Sequence, residues 1–359
     1  MDMRFRPIED RIAWIFSQAQ QYADQIAAGR SGDAGGTVGS TVLASLECMD
    51  GRLHLPSATG TLPDRFVSFR NLGGIFDLGW PYLSELLADR VDAAGAQGRR
   101  VLLLLTYHFS RGSRSRGCAG FHCDRAAAMR HAEGLRRQAL SAFGRAGERV
   151  YPLVCGFETD EDALILHAPG GDCLDLAAVG ADGFGSLQDS LQRLLPDMPQ
   201  SIQRDLLPLL FNNVAHIAEI RQQQRDLDRE HCEWMIGVGR GFDFLRLPNT
   251  ALLVGPYDPD LSHPISTAAT IIRSNMERGR IPDDGFFLLA SMPVGAGEFD
   301  ATRAALKSAF LADFAARLVR EEEPWLAERM HLRSAIFHPD SGRLEILDQQ
   351  DSPRLSGHA

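Results

Sequence analysis

Cys48, Asp50 and Arg52 stand at alternate positions just after the apolar run at residues 42–46. Together they put a soft metal ligand, a carboxylate and a guanidinium into one loop, a set that packing alone rarely calls for. The bare pattern C-x-D-x-R is common, and a second stretch gives it weight. The apolar run at residues 100–106 leads into Tyr107-His108, and a loop from Phe109 ends at Gly117-Cys118. Two thiolates and one imidazole occupy three positions of a tetrahedral ion and leave the fourth open, which is the catalytic rather than the closed structural arrangement.

These residues need elements that bring them together. The run at 42–46, flanked by glycine, serine and threonine, reads as a buried strand, and residues 48–52 then lie at its C-terminal end. Open α/β sheets bind ligands at that edge. Neighbouring parallel strands deliver their last residues to the same edge, so Cys48, His108 and Cys118 converge although far apart in sequence. A strand at 65–70, a helix at 81–94 and the strand reaching His108 give the order of a parallel sheet with right-handed crossovers. Gly73-Gly74 signals either a close backbone approach near this edge or a plain turn. Arg111, Arg114 and Arg116 make the following loop basic, as solvated surface or as an attractor of small anions. Asp124 caps a helix running to about Leu140. Strands at 150–157 and 162–167 flank Thr159-Asp160-Glu161, read as turn chemistry. Residues 184–235 read as helical, with 221–225 on a solvated face.

The last third looks like a worn copy of the first. Residues 250–256 correspond in this reading to the strand before Cys48, residues 286–292 to the strand before His108, and 300–318 to the helix after Cys118. In place of metal-capable residues the copy offers Tyr257 and Met292. The expected organisation is therefore an N-terminal helix and Gly-rich linker over 1–39, a metal-binding catalytic domain with a helical insertion over 40–245, a degenerate repeat without ligands over 246–340, and a polar tail over 341–359.

With 359 residues, 44% hydrophobic and 23% charged, the chain has the composition of a soluble globular protein of two domains. Its 37 basic and 47 acidic residues give a formal charge of -10, which argues against nucleic acid or an anionic membrane as partner. No signal-peptide core and no apolar run of membrane-spanning length appear, so the expected location is the cytoplasm. Six cysteines in such a chain point to thiols or metal ligands rather than disulfides. Cys123, Cys155, Cys173 and Cys232 are expected as small core residues, as are Tyr107 and Phe109 if they do not wall the pocket.

Cys48-x-Asp50-x-Arg52, Arg70-Asn71-Leu72-Gly73-Gly74, His108 and Cys118 resemble the β-class carbonic anhydrases, and within that class the carboxysome shell carbonic anhydrases. His108-Phe109-Ser110, the long loop to Gly117-Cys118-Ala119, and the segment at 159–167 carry the closer likeness, which runs from about residue 40 to 320. The resemblance implies an α/β fold, a parallel sheet flanked by helices, followed by a degenerate second copy. It implies one Zn2+ per chain on Cys48, His108 and Cys118, with Asp50 and Arg52 as the catalytic dyad. The implied reaction is reversible hydration of carbon dioxide to bicarbonate by a zinc-bound hydroxide, with activity rising toward alkaline pH, and a homodimer or higher oligomer is expected.

Only 47 residues precede Cys48, fewer than in the carboxysomal proteins, so a free cytoplasmic enzyme is expected ahead of one attached to a shell or to Rubisco. Two other readings are a catalytically idle scaffold or sensor that binds zinc or bicarbonate, and a structural zinc domain with His122 or Cys123 as fourth ligand. His122 is otherwise a proton shuttle or a surface histidine.

Overall fold

The computed structural model describes residues 2–29, 37–62, 65–180, 184–223, 230–295, 297 and 300–347. The expected linker at 30–36 and most of the expected tail, residues 348–359, lie outside the described residues. Contacts divide the chain into two units, Asp33–Glu230 with Tyr257–Pro259, and Met1–Gly32 with His231–Pro256 and Asp260–Ala359. The N-terminal helix α1 (Ile8–Ala27) and residues 231–245 thus group with the last third, whereas the sequence reading set the helix apart and carried the first domain to residue 245.

The unit beginning at Asp33 contains β1 (Thr37–Val38), β2 (Thr41–Cys48), α2 (Leu55–Ala58), β3 (Val67–Asn71), α3 (Pro81–Ala96), β4 (Arg100–Phe109), α4 (Arg125–Phe143), β5 (Val150–Glu158), β6 (Ala163–His167), β7 (Cys173–Asp175), α5 (Phe184–Leu194) and α6 (Gln200–Gln222). Strands β3, β2, β4 and β5 lie side by side and parallel, and β6 and β7 add antiparallel beyond β5. All of β2 and β5, and β4 from Val101 onward, is buried, as near-continuous apolar parallel strands require when both faces are covered. Val101, Leu103, Leu105 and Tyr107 share one core with Leu83, Leu87 and Val91 of α3 and Ala128, Ala132 and Leu135 of α4. Side chains alternate along a strand, so His108 emerges on the face opposite Tyr107. Asp124 caps α4 as expected, accepting from the Ala127 N–H.

The second unit adds β8 (Met235–Gly239), β9 (Ala251–Val254), α7 (Ser262–Glu277), β10 (Phe286–Pro293), α8 (Asp300–Glu322), α9 (Pro324–Ala327), β11 (Met330–His338) and β12 (Arg343–Leu347). Its sheet runs β9-β8-β10-β11-β12, parallel except for the last strand, which repeats the order β3-β2-β4-β5-β6. This corrects three expectations. Helix α6 ends at Gln222, and the supposedly helical stretch to 235 runs into β8. That strand, not residues 250–256, is the counterpart of β2, and β9 matches β3. Residues 343–347, assigned to a frayed tail, pair with β11 because Leu344 and Ile346 alternate with polar neighbours in a hairpin. Both hairpins leave four residues between their closing pairs, Glu158 with Ala163 and His338 with Arg343. Aligning the registers through these turns puts Arg240 at the place of Cys48 and Pro293 at that of His108.

Helix α1 buries Ile8, Ile15, Ala19 and Tyr22, and with them Arg11, which pairs with Asp284 and donates to the Gly285 carbonyl at 3.1 Å. Among the described residues no helix is long and apolar enough to cross a membrane.

Candidate metal centre

Parallel pairing of β2 with β4 brings Cys48, the last residue of β2, beside the end of β4, where His108 sits one residue from the terminus. Cys118 arrives from the loop after β4. The Sγ atoms of Cys48 and Cys118 are 3.9 Å apart, and the donor atoms of Cys48, His108 and Cys118 all lie within 4.8 Å of one another. A tetrahedral ion with metal–sulfur bonds of about 2.3 Å separates its two sulfurs by roughly 3.8 Å. All three side chains are buried, and neither ring nitrogen of His108 has a hydrogen-bond partner in good geometry. A buried imidazole with nothing to bond is costly unless something else occupies its lone pair. The donor set therefore fits a soft divalent metal. His122 is exposed, Cys123 is half-buried, and neither belongs to the cluster, so no fourth protein ligand comes from them.

Electrostatics support the same conclusion. Burial acts to raise the Cys48 pKa, yet it is held well below the usual thiol value by the hydrogen bond with Cys118 and by the charge of His108. The shared hydrogen bond with Cys48, together with burial, pushes Cys118 well above that value. Burial acts to lower the pKa of His108, and the negative charges of Cys48 and Asp50 outweigh it, so the net shift is upward. Metal ligands bind in their deprotonated forms, so a cation entering this cluster would displace protons from it.

Asp50 lies at the lip of this cluster, Oδ2 3.6 Å from His108 Nε2. Arg52 holds it from two sides, with Nη2 donating to Oδ2 at 2.7 Å and Nε to Oδ1 at 3.1 Å, while the Arg52 N–H also donates to Oδ1 at 2.8 Å. Asp50 is 4% exposed and Arg52 0%, so this pair is held out of solvent, where removing either partner is costly.

Two devices place these groups that the residue pattern did not reveal. The first is Arg70, whose guanidinium pairs with buried Glu47 at 2.8 Å and donates to the carbonyls of Cys48 at 3.1 Å and Leu53 at 3.0 Å. It straps the whole loop that carries Cys48, Asp50 and Arg52. The signal available in sequence was Glu47, a carboxylate inside a strand that is otherwise apolar or small. The second is the acidic run at 158–162, of which Thr159-Asp160-Glu161 was read as turn chemistry; it binds the loop between His108 and Cys118. Arg116 of that loop is buried near Asp160, and Arg111 pairs with Asp175 at 2.5 Å, while Arg114 is exposed. Two of the three arginines are thus occupied structurally rather than held out as anion attractors.

The paired glycines mark a close approach, not a plain turn. Gly73 and Gly74 have φ of 70° and 65°, and a Cβ on Gly74 would stand 3.3 Å from the Thr106 carbonyl oxygen and 3.4 Å from the Cys48 nitrogen. Tyr107 and Phe109 belong to the core on the far face, where the Tyr107 hydroxyl meets His167 Nε2 at 2.8 Å. Of the remaining cysteines Cys155 and Cys232 are buried as expected, but Cys173 is exposed and Cys123 half-buried.

Residues 39–178 match the family model of the carboxysome shell carbonic anhydrase catalytic domain. Two relatives named carboxysome shell carbonic anhydrase, from Hydrogenovibrio crunogenus and Prochlorococcus marinus, are 27% identical over 237 residues and 28% identical over 233 residues. Each alignment covers 56% of this chain and 45% of the relative, so the chain spans less than half the length of the relatives it matches. The thiol and imidazole cluster, the Asp50–Arg52 pair, Arg70 and Asp160 all fall inside the matched segment. Residues 39–178 are accordingly similar to the catalytic domain of the carboxysome shell carbonic anhydrases, and it is over this segment that the candidate site lies.

Proposed function

We propose that this chain is a zinc-dependent carbonic anhydrase that hydrates carbon dioxide reversibly to bicarbonate, with one zinc held by Cys48, His108 and Cys118. The observation that carries the reading is the buried Cys–His–Cys cluster with the Arg52-paired carboxyl group of Asp50 at its lip, inside the segment that matches the family's catalytic domain. Zinc in such a site supplies Lewis acidity that makes water nucleophilic near neutral pH, an effect for which carbonic anhydrase is itself the standard example.

The chain's own groups do the rest. Asp50, kept as a carboxylate by Arg52, accepts the hydrogen bond of the attacking water and so aims its lone pair at the carbon of carbon dioxide. Arg52 would also keep the Asp50 carboxylate from itself ligating a metal held by Cys48, His108 and Cys118. Burial of all five side chains excludes competing solvent and strengthens each of these interactions. A purely structural site would want a fourth protein ligand, and a site without catalysis would have no use for the Asp50–Arg52 pair.

Both named relatives are carboxysome shell proteins, and this supports association with a carboxysome over the free cytoplasmic enzyme expected from the sequence. Stopped-flow hydration of carbon dioxide, run beside metal analysis on the wild type and on Cys48→Ala, tests the activity. A wild type that binds zinc without hydrating carbon dioxide overturns it. Co-purification with shell components from the native host tests the association.

A further inference from the structure

Nine residues separate His108 from Cys118, and after Phe109 at the end of β4 they form a loop. Ordering such residues costs backbone entropy, so a loop that must deliver a ligand needs an anchor. The anchor is not on the loop. Asp160, in the turn between β5 and β6, is 5% exposed, and its Oδ2 accepts hydrogen bonds from Ser110 Oγ at 2.9 Å and from the Gly112 N–H at 2.8 Å. Arg116 Nη2 lies 3.6 Å from Asp160 Oδ1 and donates to Ser110 Oγ at 3.2 Å, and the Ser113 N–H donates to the same hydroxyl at 3.1 Å. A Cβ on Gly112 would fall 2.7 Å from Arg116 Nη2 and 3.2 Å from Asp160 Oδ2, so the loop closes tightly round this carboxylate. Glu158 holds Asp160 in turn, accepting from its N–H at 3.0 Å and from the Arg111 N–H at 3.1 Å. Thr159 ties the root of the loop, donating from N–H to the Phe109 carbonyl at 2.9 Å.

We propose that Asp160 is the positioning residue for Cys118: its buried carboxylate holds the loop after His108 in the one form that carries the second thiol to the cluster. Arg116, two residues before Cys118, is the link, because pairing with Asp160 fixes the chain just before the ligand. The inference rests on the reading of Cys118 as a zinc ligand. Asp160 acts through the loop and has no part in the reaction itself.

The test compares Asp160→Ala and Asp160→Asn with Asp175→Ala, which removes the half-exposed partner of Arg111 and the cap on the Ala177 N–H but touches neither Asp160 nor Arg116. Two quantities are read: the rate at which a chelator strips zinc from the loaded protein, and the rate at which Cys118, against Cys48 as internal reference, is alkylated in the metal-free protein. Groups that orient a ligand typically contribute about 10–100-fold to metal affinity, so Asp160→Ala should speed zinc release by about that factor. It should also raise alkylation of Cys118 selectively over Cys48. Asp160→Asn keeps an acceptor for Ser110 and Gly112 but loses the charge that Arg116 pairs with, and should fall between; Asp175→Ala should match the wild type. If Asp160→Ala does not fold, Asp160→Asn decides alone. Equal Cys118 alkylation in the wild type and the folded Asp160 variants overturns the proposal even in an active hydratase. If the wild type takes up no zinc, the proposed function fails, while the alkylation comparison still decides the role of Asp160.

Discussion

Arg52 and Asp50 are two residues apart and meet side chain to side chain with no exposed surface to speak of, so neither can be altered without the other feeling it. Arg52→Ala should leave zinc bound and free Asp50 to take the open position, with hydration lost by roughly 100-fold or more, the scale of removing one preorganised polar group. Asp50→Ala should cost orientation only, and the double variant should recover an open site, so the losses should be strongly non-additive. Hydration rates and zinc content of the three variants check this; a double variant whose loss equals the product of the single losses rules the coupling out. Arg70 makes a different prediction, because it touches backbone carbonyls and Glu47 rather than the dyad's side chains. Breaking a buried ion pair by removing one partner costs about 3–5 kcal/mol, so Arg70→Ala should show that loss in chemical denaturation, and Glu47→Gln with Arg70→Met should lose less than Arg70→Ala alone. That Cys48, His108 and Cys118 cluster and that Asp50 pairs with Arg52 could be anticipated from residue type and spacing because such a set is unusual. The strap was not, because Arg70 acts on carbonyl groups, which every residue has.

Elements built from long apolar runs, β2, β4 and β5, were legible because a parallel strand covered on both faces leaves no room for polar residues. Strand β8 was not. Its five residues, Met-Ile-Gly-Val-Gly, are short and carry two glycines, one of them at φ 113°, so they gave no period to set against the helical stretch before them. The glycines near the site show how elements are brought to contact. A Cβ on Gly120, just after Cys118, would lie 2.7 Å from Gly73 Cα and 2.8 Å from Gly73 N, both backbone atoms that cannot swing aside. Gly120→Ala should therefore push the Cys118 loop off the Gly73 turn, lowering stability by about 1–3 kcal/mol as overpacking does, and loosening zinc. Gly95→Ala in α3, where a Cβ would meet nothing within 4 Å, should instead stabilise by about 0.5–1 kcal/mol. Thermal or denaturant melts of the two variants, with zinc release measured beside them, separate local crowding from a general intolerance of change.

At the scale of the whole chain, two sheets share one strand order, while among the described residues only one edge carries a cluster of soft donors. The repeat was visible in sequence through its longest strands, but its alignment slipped by one strand because β8 was missing from the count. With β8 restored, Arg240 and Pro293 stand where Cys48 and His108 stand in the first unit, and neither is able to ligate a metal as they do: a guanidinium has no lone pair to offer, and proline has no donor side chain. The second copy should then contribute no soft-donor site. Metal analysis of the purified chain should give one zinc, lost in Cys48→Ala and in Cys118→Ala. Dialysis against a chelator should abolish hydration, and added zinc should restore it at one equivalent. Two equivalents retained through gel filtration, or one that survives both cysteine replacements, would place metal outside the Cys48–His108–Cys118 cluster and overturn the reading of the second sheet as a copy without a metal site.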